Sequence, residues 1–140
     1  SERRSSPFTL SRGERQRVAV ASVLAARPRV IILDEPTTGL DWGEQERLMA
    51  VLEEANARGT AVVIVTHAIP LAARHARRWI LLSRGELLAD AQPRDILTNH
   101  ALLQRAALRA PDIVRLGGLL GVPCLTAEEL ASVLRRRTVQ

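Results

Sequence analysis

Two short runs of apolar, mostly β-branched residues constrain the fold of this chain more than any other feature. The first is residues 30–33 (VIIL) and the second is residues 61–65 (AVVIV), and each is too short for a helix. Continuous apolar runs of this kind are typical of parallel strands that are buried on both faces. A helical pattern lies between them, from Asp41 to about Arg58, so the sequence predicts a β-α-β unit and an α/β fold.

Further helical patterns and a hairpin extend this unit on both sides. Apolar residues recur at helical spacing from Leu10 to about Ala26, where Pro28 ends the pattern, and another helix is expected to begin near Pro70. Residues 79–88 contain two apolar runs around an Arg-Gly pair, which is typical of a hairpin. This order of elements predicts half of an α/β layer fold with a parallel sheet and flanking helices.

The character of the sequence changes after residue 92. Three helical patterns follow, separated by Pro and Gly residues, at residues 94–108, 112–120 and 126–136. We therefore predict an α/β domain over residues 1–92 and a small C-terminal helical domain over residues 93–140. Residues 1–9 are polar and the chain starts with Ser rather than Met, so we expect a cut end and a piece of a longer protein.

The composition excludes several classes of function. All 20 basic residues are Arg, so the chain has no amine of the kind that grips phosphate in a P-loop. The net charge is +5, but the Arg residues are dispersed among acids, and Phe8 accompanies only two Trp and no Tyr. Almost no aromatic residues are therefore available for stacking single-stranded nucleic acid. No apolar run approaches the roughly 18 residues of a membrane span, and Cys124 has no second cysteine for a disulfide.

Two adjacent carboxylates, Asp34 and Glu35, follow the first predicted strand. Ligands of open α/β sheets bind at the carboxyl ends of the strands, which is where these two residues are expected to lie. An acid at the first position can hold Mg²⁺, and an acid at the second can orient or deprotonate a water for attack on a phosphate. The alternative is that both residues only end a strand at the surface.

Polar residues at three other places could complete such a site. Ser11 and Gly13 stand at a helix start, where free N–H groups and the helix dipole favour an anion. The alternative for Ser11 is an ordinary capping box with Glu14, and Asp41 with its own Glu three residues later predicts a second box. His67 directly follows the second strand, at the same sheet edge as Glu35, although a lone His is more often structural.

The order and spacing of four motifs resemble the second half of an ATP-binding cassette ATPase. The motifs are LSRGE at residues 10–14, VIILDEP at 30–36, TGLD at 38–41 and the strand that ends in His67, and the resemblance covers residues 10 to about 92. It implies the nucleotide-binding domain of the P-loop, RecA-like type, with ATP and Mg²⁺ as ligands. The family's first half, with its Walker A loop and Q-loop, is not in this sequence, so we expect the isolated chain to be inactive.

The resemblance also implies roles for individual residues. Ser11, Gly13 and Glu14 fall on the signature motif, which contacts the γ-phosphate of ATP held by a second cassette, whereas Arg12 stands where the family usually has Gly. Glu14 stands where the family often has Gln. Asp41 matches the D-loop acid.

The resemblance implies that three further residues take part in ATP hydrolysis. Asp34 matches the acid that is associated with Mg²⁺, and Glu35 matches the catalytic carboxylate. His67 matches the switch histidine that senses the γ-phosphate. The presence of both Glu35 and His67 favours a working cassette over a degenerate one that only supplies a signature motif.

Residues 94–136 resemble the C-terminal helical domain of energy-coupling-factor ATPases. This implies the ATP-hydrolysing subunit of an importer for a vitamin or a transition-metal ion, on the cytoplasmic face of a bacterial or archaeal membrane. The implied partners are a second cassette, identical, different or fused, and a transmembrane coupling subunit, with no nucleic acid. The alternative is a cassette ATPase that acts on DNA or the ribosome.

Overall fold

The computed structural model describes residues 10–138, which divide into two units at His67 and Ala68. The polar start at residues 1–9, Phe8 included, lies outside the described residues. A strand gives way to helices around residue 92, because β4 ends at Ala91 and the next helix begins at Pro93. The division into domains at residue 92 stays a prediction.

The first unit contains the expected β-α-β arrangement. Its elements are α1 (Arg12–Ala25), β1 (Val30–Asp34), α2 (Trp42–Ala57) and β2 (Ala61–Val65). The two strands pair in parallel, with Val30 opposite Ala61 and Asp34 opposite Val65. The parallel pairing and the flanking helices confirm the predicted α/β fold.

Capping boxes start both helices of this unit, as the sequence predicts. Ser11 is the N-cap of α1 and exchanges hydrogen bonds with Glu14, and Asp41 does the same with Glu44 at the start of α2. Each box satisfies two backbone N–H groups that have no partner within the helix. The caps therefore fix where both helices begin.

The expectation that both strands are buried on both faces is wrong for the described residues. Ile31 is only 4% exposed, whereas its neighbour Ile32 is 70% exposed, and Val63 and Val65 on the paired strand are exposed with it. Successive side chains of a strand point to opposite faces, and α2 packs against β2 through the buried face. An apolar run indicates that both faces of a strand carry apolar side chains, but it does not indicate which face another element covers.

The second unit is a short helix, a hairpin and four further helices. Its elements are α3 (Ile69–His75), β3 (Trp79–Ser83), β4 (Glu86–Ala91), α4 (Pro93–Leu97), α5 (His100–Arg105), α6 (Asp112–Leu119) and α7 (Ala127–Thr138). β3 and β4 pair antiparallel, which confirms the hairpin. Among the described residues, no helix is both long and apolar enough to cross a membrane.

The single helix predicted over residues 94–108 is wrong, because the chain forms α4 and α5 instead. Thr98 turns its hydroxyl back to the Arg94 carbonyl oxygen at 2.8 Å, and Asn99 then caps α5 by accepting from the Leu102 N–H at 3.0 Å. Side chains of this kind compete with the helical backbone for its hydrogen bonds. The break allows Leu97 and Leu103, on either side of it, to join one buried cluster.

The end of the second unit packs around Cys124. This thiol is buried with Val122 and Leu130, and its Sγ lies 3.5 Å from the Ile113 carbonyl oxygen. Burial raises the pKa of the thiol, so Cys124 stays neutral and packs as a small apolar residue.

Candidate functional site

Glu35 is the first residue beyond β1 and has an unusual backbone. Its N–H donates to the Val65 carbonyl oxygen at 2.8 Å, which extends the pairing of the two strands by one bond. Its φ is +46°, in the left-handed region that residues with a Cβ seldom occupy. Strained residues of this kind persist where surrounding contacts hold them, and they cluster at functional sites.

Four hydrogen-bond donors hold the Glu35 carboxylate. The backbone N–H of His67 donates to Oε1 at 2.8 Å, and Nδ1 of the same residue lies 2.8 Å from that oxygen. The hydroxyl groups of Thr38 and Thr66 donate to Oε2 over longer distances, 3.2 Å and 3.4 Å. The structure therefore brings Glu35 and His67 together at the sheet edge, as the sequence predicts, and adds the two threonines.

These contacts set the charge of the site. The hydrogen bond from the His67 side chain is the main cause that holds the pKa of Glu35 below its ordinary value, and the His67 N–H and Thr38 contribute in the same direction. Glu35 is therefore ionised at neutral pH and can accept a proton. The Glu35 side chain is 33% exposed and that of His67 is 82% exposed, so solvent and small ligands can reach both.

Asp34 ends β1 with an exposed side chain beside Glu35. In the part of the chain that the structure describes, no group of three or more His, Cys, Asp or Glu side chains could hold a metal ion by itself. Mg²⁺ in nucleotide sites commonly takes only one or two carboxylates and completes its shell with phosphates and water. A single exposed carboxylate at this sheet edge fits that donor set.

Ser11 and Glu14 are engaged with each other at the start of α1. The Ser11 hydroxyl oxygen accepts from the Glu14 N–H at 3.2 Å, and Glu14 Oε2 accepts from the Ser11 N–H at 2.7 Å. These bonds hold the pKa of Glu14 below its ordinary value, with the backbone bond as the larger cause. The capping role is thus observed, and nucleotide contacts of Ser11 and Glu14 stay predictions.

The start of α1 also contacts the segment that leads into α2. A Cβ at Gly13 would overlap the carboxylate of Glu44, and a Cβ at Gly39 would lie 2.7 Å from the guanidinium carbon of Arg12. Arg12 is exposed, yet its guanidinium lies on the backbone of Gly39 instead of pointing only into solvent. The structure therefore joins the first turn of α1 to residues 39–44, where Asp41 caps α2.

Sequence reasoning missed Thr38 and Thr66 as partners of Glu35, and Glu44 as a neighbour of Gly13. Thr66 stands directly before His67, so its position after a strand was a usable signal. The hydrogen bond from Thr38 to Glu35 depends on the left-handed backbone of Glu35, and no sequence pattern predicts that conformation.

Comparison with known proteins gives one consistent family. The family model described as ABC transporter matches residues 1–38. A candidate ABC transporter ATP-binding protein of Caldanaerobacter subterraneus subsp. tengcongensis is 43% identical over 93% of this chain and 23% of its own length. The energy-coupling factor transporter ATP-binding protein EcfA2 of Streptococcus pyogenes serotype M5 is 35% identical over 92% of this chain and 49% of its own length. The chain thus spans between about a quarter and a half of the length of these relatives.

Solved structures agree with the relatives. The structure of cbiO1 from Clostridium perfringens, described as part of the ABC transporter complex cbiONQ, matches with a TM-score of 0.62 and 31% identity over 83% of this chain and 45% of that one. An ATP-binding cassette of an ABC transporter in its ADP conformation, MJ1267, matches in fold with a TM-score of 0.63 at 20% identity over 69% of this chain and 39% of that one. The chain therefore belongs to the ATP-binding cassette family, of whose ATPases it represents a C-terminal part.

Proposed function

We propose that the protein to which this chain belongs hydrolyses ATP, with Glu35 as the base. The observation that carries this proposal is the Glu35 carboxylate at the end of β1, ionised and hydrogen-bonded to His67, which follows β2. In the reaction, a water oxygen bonds to the γ-phosphorus, the bond from that phosphorus to the leaving oxygen of ADP breaks, and the water proton passes to a carboxylate.

The two oxygens of Glu35 are suited to different tasks. Oε1 holds two bonds of 2.8 Å to His67 and keeps the side chain in place. Among the described residues, Oε2 accepts the longer bonds from Thr38 and Thr66, so it is the oxygen that more readily takes a proton. The His67 side chain is 82% exposed, so its other ring nitrogen is available to a phosphate at the same edge while Nδ1 stays at Glu35.

Ligand binding involves the remaining residues of the site. Asp34 would hold Mg²⁺, directly or through water, and the ion would neutralise charge on the phosphates of ATP. Ser11 and Gly13 stand at the N-terminal end of α1, where the helix dipole attracts an anion. We propose that this anion is the γ-phosphate of ATP bound by a second cassette. Asp41, in the loop before α2, would contribute to the same binding site.

The wider role that we propose is transport. EcfA2 and cbiO1 are described as parts of transporters, and their similarity supports an energy-coupling-factor importer for this protein. In that role two cassettes close on ATP and move a transmembrane partner subunit at the cytoplasmic face of the membrane. The substrate would be a vitamin or a transition-metal ion bound by another subunit.

The test is the variant Glu35→Gln in the full-length protein. It keeps the size of the side chain and one oxygen acceptor but removes the base, so ATP turnover should fall by at least about 100-fold while ATP still binds. Glu54→Gln is the matched control, because Glu54 lies on the far end of α2 in an exposed pair with Arg58. Normal turnover by Glu35→Gln, measured as phosphate release, would contradict the assignment of the base.

A further inference from the structure

Glu44 completes the cap of α2. Its N–H donates to Asp41 Oδ1 at 2.7 Å, and its Oε2 accepts from the Asp41 N–H at 3.3 Å. The Glu44 side chain is nevertheless only 20% exposed, which is low for a carboxylate whose sole task is a helix cap. Something besides the cap therefore covers it.

The covering element is the first turn of α1. Gly13 is buried, and a Cβ at that position would lie 2.8 Å from Oε2 of Glu44 and closer still to the carboxyl carbon and Oε1. Position 13 therefore has no room for a side chain while Glu44 is in place. Since this glycine lies in an ordinary helix rather than at a positive φ, the close approach alone requires it.

Arg17, one turn further along α1, places an opposite charge near Glu44. Its Nη1 lies 4.0 Å from Glu44 Oε1 and, in the part of the chain that the structure describes, this buried nitrogen has no hydrogen-bond partner. The charge of Arg17 offsets part of the cost of covering the Glu44 carboxylate. Glu44 therefore has two neighbours on α1, Gly13 and Arg17.

We propose that Glu44 is a positioning residue that holds the Ser11–Gly13 segment at a fixed distance from the start of α2. The inference rests on the proposed function, because the segment that it positions is the one assigned to ATP of a second cassette. Glu14 occupies the same place in α1 that Glu44 has in α2, but its hydrogen bonds are to Ser11, the N-cap of its own helix. Glu44, in contrast, contacts the start of the other helix at Gly13.

The first experiment compares steady-state ATP hydrolysis by the full-length protein with Glu44→Ala, Glu44→Gln and Glu54→Ala. Glu44→Ala should raise KM for ATP about tenfold with little change in kcat, because it removes the carboxylate that packs on Gly13. Changes in a contact of this kind alter the coupling between sites by about 0.5–2 kcal/mol, which is roughly 2-fold to 30-fold. Glu44→Gln keeps the shape and should recover most of the loss. Glu54→Ala changes an exposed pair on the same helix and should leave both constants unchanged. A KM for Glu44→Ala equal to that of Glu54→Ala would overturn the proposal.

The second experiment uses Gly13→Ala alone and together with Glu44→Ala. The added methyl group overlaps the Glu44 carboxylate, so Gly13→Ala alone should lower the free energy of unfolding, measured without nucleotide. Removal of the carboxylate vacates the space, and the double variant should be no less stable than Glu44→Ala. If the two losses of stability add instead, Gly13 and Glu44 act independently and the inference fails.

Hydrogen exchange without nucleotide separates this inference from the proposed function. Glu44→Ala should speed exchange of the backbone amides at residues 13–17, whereas Glu54→Ala should not. If exchange changes in this way but the wild-type protein does not hydrolyse ATP, the proposed function fails and the contact between the helices stands. If ATP is hydrolysed and exchange at these amides is unchanged, the role of Glu44 is refuted.

Discussion

Gly117 and Gly118 are neighbours in α6, yet the structure predicts opposite effects when each is replaced by Ala. Gly117 is buried, and a Cβ there would overlap the Val122 carbonyl oxygen and the Cys124 thiol. Gly118 is exposed, and nothing lies within 4 Å of the place where its Cβ would be. Neither residue has a positive φ, so backbone strain does not enter the comparison.

The magnitudes follow from these surroundings. Ala is favoured over Gly inside a helix by about 1 kcal/mol, and Gly118→Ala should gain most of that. Gly117→Ala gains the same term but forces a backbone oxygen to move, and overpacking of this kind costs about 1–3 kcal/mol. The shift also disturbs the bond of 2.7 Å from the Val122 N–H to the Gly117 oxygen, which adds about 1 kcal/mol. The two variants should therefore differ by about 2–4 kcal/mol.

The assay is hydrogen exchange of the amides of α6 in the full-length protein, converted to a free energy of local opening. Gly118→Ala should slow exchange and Gly117→Ala should speed it. Equal protection in the two variants would refute the reasoning, because it would mean that Val122 and Cys124 do not pack on position 117.

Two further predictions concern the first unit. Arg12 is exposed and its guanidinium lies on Gly39, so Arg12→Ala should lower the free energy of unfolding by less than about 1 kcal/mol in a thermal unfolding measurement. A loss of several kcal/mol would mean that Arg12 anchors the fold. Because the pKa of Glu35 is lowered by folding, its bond to His67 stabilises the fold above the ordinary pKa of 4.5, and that contribution disappears as the pH falls through the lower folded value. The stability difference between wild type and Glu35→Gln should therefore shrink as the pH falls from neutral to below 4.5, and a constant difference would contradict this prediction.

Local signals in the sequence predicted the parts of the fold that short-range chemistry determines. Ser11 with Glu14 and Asp41 with Glu44 are spaced so that each pair can exchange side-chain bonds with its own backbone, and both helices begin there. The helix expected near Pro70 begins at Ile69, because proline suits the first turn.

Contacts between elements were harder to predict. Ile32 was expected to be buried because its run is apolar, but burial depends on which face α2 covers. The candidate site shows the same difference between local signals and contacts. Glu35 and His67 were predicted as site residues because each directly follows a parallel strand. Thr38 and Glu44 were missed as site residues because their contacts depend on a left-handed residue and on the approach of two helices.

The most direct test of the central claim is ATP retention by the full-length protein that carries Glu35→Gln. Without the base, ATP should stay trapped between two cassettes through gel filtration, and Ser11→Arg in the same protein should abolish the trapping, since it adds bulk at the anion site. Ser22→Arg is the matched control, because Ser22 is exposed further along α1. Retention lost with Ser11→Arg and kept with Ser22→Arg is the predicted result. Retention as strong with Ser11→Arg as without it would show that this segment is only a capped helix.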